Sequence, residues 1–163
     1  MKEIEPRLKD SLKRWFILSA GFILLITGTA KLASAFGGPK VVYESDPIFG
    51  MTFHHLMIMA GLIEITIASA CLFSKATKLN AGLIAWVATT FLLYRVGLMV
   101  LDWKRPCSCL GNLTDALHIS PSAGDLMMKG LLAYLLVGGY IISFSYMRAR
   151  HRGFPIVEAL KAP

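Results

Sequence analysis

Four blocks of mostly apolar residues limit what this chain can fold into. They run over about 15–36, 53–73, 81–101 and 126–146, and each exceeds the roughly 18 apolar residues that cross a bilayer core. Together they occupy more than half of the 163 residues, which leaves no room for a separate soluble domain. The pattern predicts an all-α integral membrane protein, a four-helix bundle. It excludes a disordered chain, a nucleic-acid-binding protein and a soluble α/β enzyme.

The positions of the basic residues predict the topology. The formal net charge is +7; eleven basic residues lie before the first block, between the second and third, or after the fourth, and three lie in the other two connections. Because cytoplasmic segments are enriched in lysine and arginine, we expect both termini in the cytoplasm, at a bacterial inner membrane. The chain then divides into a cytoplasmic amphipathic segment (1–14), a four-span membrane domain (15–146) and a basic cytoplasmic tail (147–163).

The N-terminal region also resembles a cleavable signal peptide, with a basic start, an apolar stretch and the small residues Ala33-Ser34-Ala35. The leading segment is long for a signal peptide, it contains acidic residues, and Lys31 immediately precedes the supposed cleavage site. These features favour retention of the segment as the first span.

Charged residues inside the spans are candidates for function. A charge at the bilayer centre costs about 2.5–3.5 kcal/mol on insertion scales, so it should face the bundle interior or reach an interface. From the helical rise, Glu64 lies roughly 16 Å and Arg95 roughly 10 Å below the outer surface, depths that allow an ion pair. Lys31, roughly 8 Å deep, and Lys129 are expected to extend towards the interface.

Two interpretations of Lys31, Glu64 and Arg95 remain open. They are either a structural network that sets helix register, or the lining of a polar pocket that binds a quinone head group, a proton or a small anion. Gly28, Gly61 and the Gly138-Gly139 pair predict close helix packing.

The connections carry turn and capping signals. Residues 74–80 form a short connection, so the second and third spans are expected to form a helical hairpin. The outer loop over 102–125 is the longest connection, and Ser122 with Asp125 resembles a capping box for the last helix.

Two of the three cysteines lie together in that outer loop, as Cys107-Ser108-Cys109 after Lys104 and Arg105. An oxidising compartment favours disulfides, and adjacent cations favour the reactive thiolate. The pair is therefore a candidate redox-active site or a permanent structural clamp. A soft-metal site for copper or zinc is a third reading, with nearby candidate ligands His54, His55, His118, Met51, Met57, Met127 and Met128. No ligand spacing matches a known site, so no metal ligand is assigned. Cys71, in an apolar stretch, is expected to be a buried packing residue.

The order of these features resembles the MauE branch of the DoxX-like membrane proteins. The resemblance covers about 15–146 and rests on Gly28-Thr29-Ala30-Lys31-Leu32, on a Glu in the second span, on an Arg in the third, and on Cys-x-Cys-Leu-Gly after it. Leu110 stands where this pattern more often has Phe. Carried onto this chain, the pattern points to Gly28, Lys31, Glu64, Arg95, Cys107, Cys109 and Gly111.

The resemblance implies a role in methylamine utilisation, in which such proteins assist maturation of a disulfide-rich periplasmic dehydrogenase subunit beside a thioredoxin-like partner. We therefore expect a thiol–disulfide redox component with Cys107 and Cys109 as its catalytic pair. Electrons would leave to a quinone held near Lys31, Glu64 and Arg95. The alternative is a non-enzymatic subunit of a larger membrane complex, with the cysteine pair as a clamp. Copper handling is a second alternative.

Overall fold

The computed structural model describes residues 4–37, 45–102 and 120–159. These residues form four α-helices, α1 (Ile4–Phe36), α2 (Phe53–Phe73), α3 (Thr77–Val100) and α4 (Pro121–Ala159). An isolated antiparallel bridge joins Ser45 and Thr52. The predicted all-helical, four-helix architecture is confirmed for this part of the chain.

Each helix contains a stretch long and apolar enough to cross a membrane, namely Asp10–Phe36, Phe53–Phe73, Thr77–Val100 and Ala123–Arg148. A helix suits this environment because it satisfies its backbone hydrogen bonds internally. Large apolar side chains are exposed on every helix, among them Phe22, Leu62, Trp86 and Ile141. So extensive an apolar surface suits lipid rather than water, and the chain is a multi-pass membrane protein.

α2 coincides with its predicted span, whereas the other three helices begin before theirs. α1 is continuous from Ile4, so the polar N-terminal segment and the first span form one helix, and α3 begins at Thr77 rather than near 81. Hydropathy marks only the part of a helix that lies in the hydrocarbon, whereas helical hydrogen bonds continue through polar residues.

The start of α4 differs from the predicted capping box at Ser122 and Asp125. The helix begins at Pro121, and the Ala123 N–H donates to the Ser120 hydroxyl at 3.4 Å. Proline is favoured at the first helical position because its missing N–H has no partner to lose there. Ser120 is therefore the capping residue.

Asn80 stabilises the short connection 74–76 between α2 and α3. Its side-chain amide donates to the carbonyl oxygens of Ala70 at 3.2 Å and Ser74 at 3.3 Å. The Ala70 carbonyl also accepts the N–H of Ser74, the residue that caps the end of α2, so the amide of Asn80 ties the beginning of α3 to the end of α2. The short connection between the second and third spans was predicted correctly.

The helices nevertheless pack as two pairs, α1 with α2 and α3 with α4, with sparse contact between α2 and α3. Small residues make the close contacts, because they let membrane helices approach. An added Cβ at Gly21 would lie 2.9 Å from Cys71 Cβ, and one at Gly139 would lie 3.0 Å from the Ala85 nitrogen. The predicted hairpin of α2 and α3 is thus a chain connection rather than a packed pair.

The two pairs meet in an apolar core that lies towards the 74–76 end of the bundle. Its buried members come from all four helices and include Leu24, Ala68, Ile84 and Leu135. Cys71 belongs to this core as a free, buried thiol, as the sequence predicted. Beyond the core, towards the other end of the bundle, the pairs separate and leave a cavity.

Candidate functional site: a buried ion pair beside an interhelical cavity

Lys31 of α1 and Glu64 of α2 form an ion pair inside the membrane-spanning region. The Lys31 ammonium donates to the two carboxylate oxygens of Glu64 at 2.7 and 2.9 Å. Lys31 is 6% exposed and Glu64 is 1% exposed. The prediction that Lys31 extends to the interface is therefore wrong, and so is the predicted partner of Glu64, which is Lys31 and not Arg95.

Close packing of two glycines brings this pair together. An added Cβ on Gly28 would lie 3.0 Å from the Gly61 carbonyl oxygen, and one on Gly61 would lie 3.0 Å from that of Gly28. Each glycine precedes its charged residue by three positions, so glycine and charge lie on the same face of each helix. The close approach at the glycines places the ammonium and carboxylate within direct bonding distance, and it confirms the predicted packing role of Gly28 and Gly61.

The pair has hydrogen-bonding capacity left over. An ammonium has three donors, and the two oxygens of Glu64 account for two of those of Lys31. The Lys31 nitrogen also lies 5.2 Å from the centroid of the Phe91 ring, a distance at which a cation is attracted to the ring face. The pair is charge-neutral as a unit, so the wall to which it contributes can hydrogen-bond without presenting net charge.

Arg95 has a different partner from the one predicted. Its guanidinium donates to Asp125 of α4, and Lys129 contacts the same carboxylate at 2.7 Å. Depth along the membrane is compatible with both Glu64 and Asp125, but Arg95 lies on α3, whose closely packed neighbour is α4. The side chain of Lys129 is 63% exposed, as expected for a lysine near the start of its span.

A cavity of about 930 Å³ lies between the two helix pairs. Its wall is mainly apolar, with Leu24, Met57, Val87, Phe91, Leu132 and Leu135 among the lining residues. Lys31, Glu64 and Arg95 all line it as well. The structure thus brings the three predicted intramembrane residues to one cavity, although Arg95 belongs to a separate ion pair.

Residues 45–52, which we call the capping segment, cover the end of the cavity away from the 74–76 connection. Asp46 is 1% exposed and accepts hydrogen bonds from the N–H groups of Ile48 and Phe49, at 2.9 and 2.8 Å, and from the Tyr94 hydroxyl. The Phe49 ring stacks on Tyr94 with centroids 6.1 Å apart. The sequence shows Asp46-Pro47 as a turn signal only, so its contact with Tyr94, forty-eight positions away, went unpredicted.

The other predicted positions are distributed as follows. Cys107, Cys109 and Gly111 lie outside the described residues, as does the candidate ligand His118. His54 and His55 pack edge to face, and the His55 ring is hydrogen-bonded to Thr52. The described residues contain no group of three or more His, Cys, Asp or Glu placed to hold a metal ion.

Comparison with known proteins found no matching family model, no similar curated protein and no similar solved structure.

Proposed function

We propose that this protein is a membrane thiol–disulfide redox component that passes electrons to a quinone. The observation that carries the proposal is the apolar cavity with the Lys31–Glu64 pair in its wall. Such a cavity suits a lipid-soluble molecule with a small polar head. In this proposal the chain lies in a bacterial inner membrane with both termini in the cytoplasm, and it serves maturation of a periplasmic protein, as its resemblance to the MauE branch of the DoxX-like proteins implies.

The residues of the cavity fit a quinone in size and in chemistry. A volume of about 930 Å³ is at the upper end of the range typical of small-molecule sites. The third Lys31 N–H would donate to a ring carbonyl, and the Glu64 carboxylate would accept from a ring hydroxyl. Phe91 and Tyr94 also line the cavity and offer aromatic faces to a ring. The neutral Lys31–Glu64 pair favours an uncharged head over an anion.

Cys107 and Cys109 would perform the thiol chemistry. Oxidation of the two thiols to one disulfide breaks two S–H bonds, forms one S–S bond and releases two electrons and two protons. A bound quinone would supply the acceptor for those electrons and protons. The disulfide would then exchange with a thioredoxin-like partner or a client protein in the periplasm, a reaction that returns the two cysteines to thiols.

The position of the cysteines along the chain supports this assignment. Arg95 and Tyr94 lie near the end of α3, at the capping-segment end of the bundle, and Cys107 follows α3 by a few residues. Arg95 lines the cavity at that end. Glu64 and Lys31 lie deeper, where their carboxylate and ammonium can hold a proton at Oε or Nζ.

The alternative is a non-enzymatic subunit of a larger membrane complex, in which Cys107 and Cys109 form a permanent clamp. Mutual pairing within Lys31–Glu64 and within Arg95–Asp125 favours it, because charges that satisfy one another need no ligand as a partner. The two functions differ in whether the cysteine pair alternates between disulfide and dithiol or stays a disulfide.

Thiol trapping in native membranes tests the proposal. We expect Cys107 and Cys109 to shift from disulfide to dithiol when the quinone pool is reduced, and to return when it is oxidised. The Cys71→Ser variant restricts the trapping signal to the outer pair. A pair that stays oxidised under both conditions would overturn the redox function and leave the structural subunit.

A further inference from the structure

The cavity has an opening on its side, between α2 and α3. Four side chains mark it: Met59 and Ile63 of α2, and Trp86 and Leu93 of α3, each of which both lines the cavity and is exposed, by 53, 40, 57 and 66% respectively. Because α2 and α3 have few contacts with each other, the cavity wall is open between them, and these four side chains lie along the two edges of the gap.

The depth of this opening places it against lipid. Ile63 lies about 15 Å along α2 from its first residue, from the rise of an α-helix. Since the hydrocarbon core is about 30 Å thick, the opening lies near mid-membrane. All four rim residues belong to the stretches apolar enough to span, so the opening faces acyl chains rather than water.

The capping segment lies across the end of the cavity that faces the membrane surface. Pro47, Ile48, Phe49 and Met51 line the cavity there. Ile48 occupies a notch left by Gly97, where an added Cβ would lie 2.9 Å from the Ile48 Cδ1 atom. The buried Asp46 carboxylate holds the segment in place through two backbone N–H groups and the Tyr94 hydroxyl.

We infer that the cavity is a binding site filled from the bilayer through the gap between α2 and α3, and that the capping segment excludes water-borne molecules from it. The ligand class is a membrane-dissolved amphiphile with an uncharged, hydrogen-bonding head at Lys31 and Glu64 and an apolar tail that leaves through the gap. This inference rests on the proposed function only for the kind of head group; the route follows from the walls alone.

Cysteine labelling in nanodiscs tests the route, since both membrane faces are then accessible. The background carries Cys71→Ser, Cys107→Ser and Cys109→Ser, and the reporter is Thr27→Cys, because Thr27 is 6% exposed and lines the cavity. N-phenylmaleimide represents a membrane-dissolved molecule, and a sulfonated maleimide represents a charged, water-borne one. Lys75→Cys, at an exposed position, gives the reference rate for each reagent. If Thr27→Cys does not fold, Val87→Cys replaces it, because Val87 also lines the cavity and is 2% exposed.

We expect N-phenylmaleimide to label the reporter, and the charged reagent to react on the order of a hundredfold more slowly relative to the reference, because charges are excluded from the bilayer interior. Ile63→Trp should slow the lipophilic reagent by narrowing the gap. Leu62→Trp is its matched control, since the neighbouring Leu62 is also lipid-exposed, at 53%, but is not among the residues that line the cavity. Asp46→Ala should admit the charged reagent by releasing the capping segment.

Three results would overturn the inference. The first is that the charged reagent labels the reporter as fast as the lipophilic one, relative to the reference position. The second is that Ile63→Trp and Leu62→Trp slow the lipophilic reagent equally. The third is that Asp46→Ala does not speed labelling by the charged reagent. None of these depends on the redox state of Cys107 and Cys109, which are serines in this background. Failure of the thiol–quinone function and failure of the lateral route are therefore separate outcomes.

Discussion

Removing one partner of the Lys31–Glu64 pair leaves the other charge unpaired in an apolar interior. Breaking a buried pair in this way costs about 3–5 kcal/mol, whereas replacing both partners by apolar residues is often neutral or stabilising. We therefore expect Lys31→Met and Glu64→Met each to lower the unfolding midpoint in detergent strongly, and the double variant to recover most of the loss. The measurement is the thermal unfolding midpoint, with the folded fraction left after heating at each temperature determined by size-exclusion chromatography.

Asp10→Asn provides the control for that experiment. Its carboxylate pairs with Lys13 at 3.1 Å and is 75% exposed, and exposed ion pairs contribute only about 0–1 kcal/mol. This variant should change the midpoint little. If the double variant lowers the midpoint by the sum of the two single losses, the two side chains are energetically independent. That result would contradict the direct contact between Lys31 and Glu64.

At the level of the helices, the contact between α1 and α2 depends on residues that have no side chain. In Gly61→Ala the new Cβ would lie 3.0 Å from the Gly28 carbonyl oxygen, so the two helices must move apart. Overpacking of this kind costs about 1–3 kcal/mol. Gly82→Ala is the control, because an added Cβ there meets no atom within 4 Å.

We expect Gly61→Ala to lower the unfolding midpoint clearly and Gly82→Ala to leave it unchanged or raise it, since alanine favours a helix over glycine. The same detergent assay measures both variants. Equal midpoints for the two would mean that α1 and α2 are not held at the distance that the structure shows.

The helices could be predicted from sequence because a membrane span has a one-dimensional signal in its hydropathy. The partners of the intramembrane charges could not, because depth along the membrane does not say which way a side chain points around its helix. Glu64 and Arg95 were compatible in depth, yet Glu64 lies on the α2 face that contacts α1. The three-residue spacing shared by Gly28–Lys31 and Gly61–Glu64 was the available signal, since close-packing glycines indicate which faces meet.

The cavity could not be predicted from the sequence for a related reason. Its apolar lining residues, such as Val87 and Leu132, are of the same residue types as those that face lipid or fill the core. A void depends on the contacts that are missing between α2 and α3, and no residue type records a missing contact. The capping segment depends on the long-range contact of Asp46 with Tyr94, which local turn signals do not encode.

At the scale of the whole molecule, the orientation of the bundle decides which chemistry is open to its cysteines. The capping segment and the end of α3 lie at one end of the bundle, and the 74–76 connection lies at the other. The excess of basic residues flanks the 74–76 end, so the positive-inside rule predicts that this end is cytoplasmic. In that orientation, which remains a prediction, Cys107 and Cys109 would lie on the oxidising side, where disulfides persist.

Reporter fusions test this orientation in a bacterial host. Alkaline phosphatase fused after Asp102 should be active and green fluorescent protein there should be dark, whereas fusions after Ala76 and after Pro163 should show the reverse. Fusion after Ala76 serves as an internal control, because it reports the same side as the C-terminus through two spans instead of four. Active phosphatase at Pro163 would invert the bundle and place the cysteine pair in the reducing cytoplasm. A periplasmic exchange partner would then be impossible, while the cavity and its lateral opening would be unaffected.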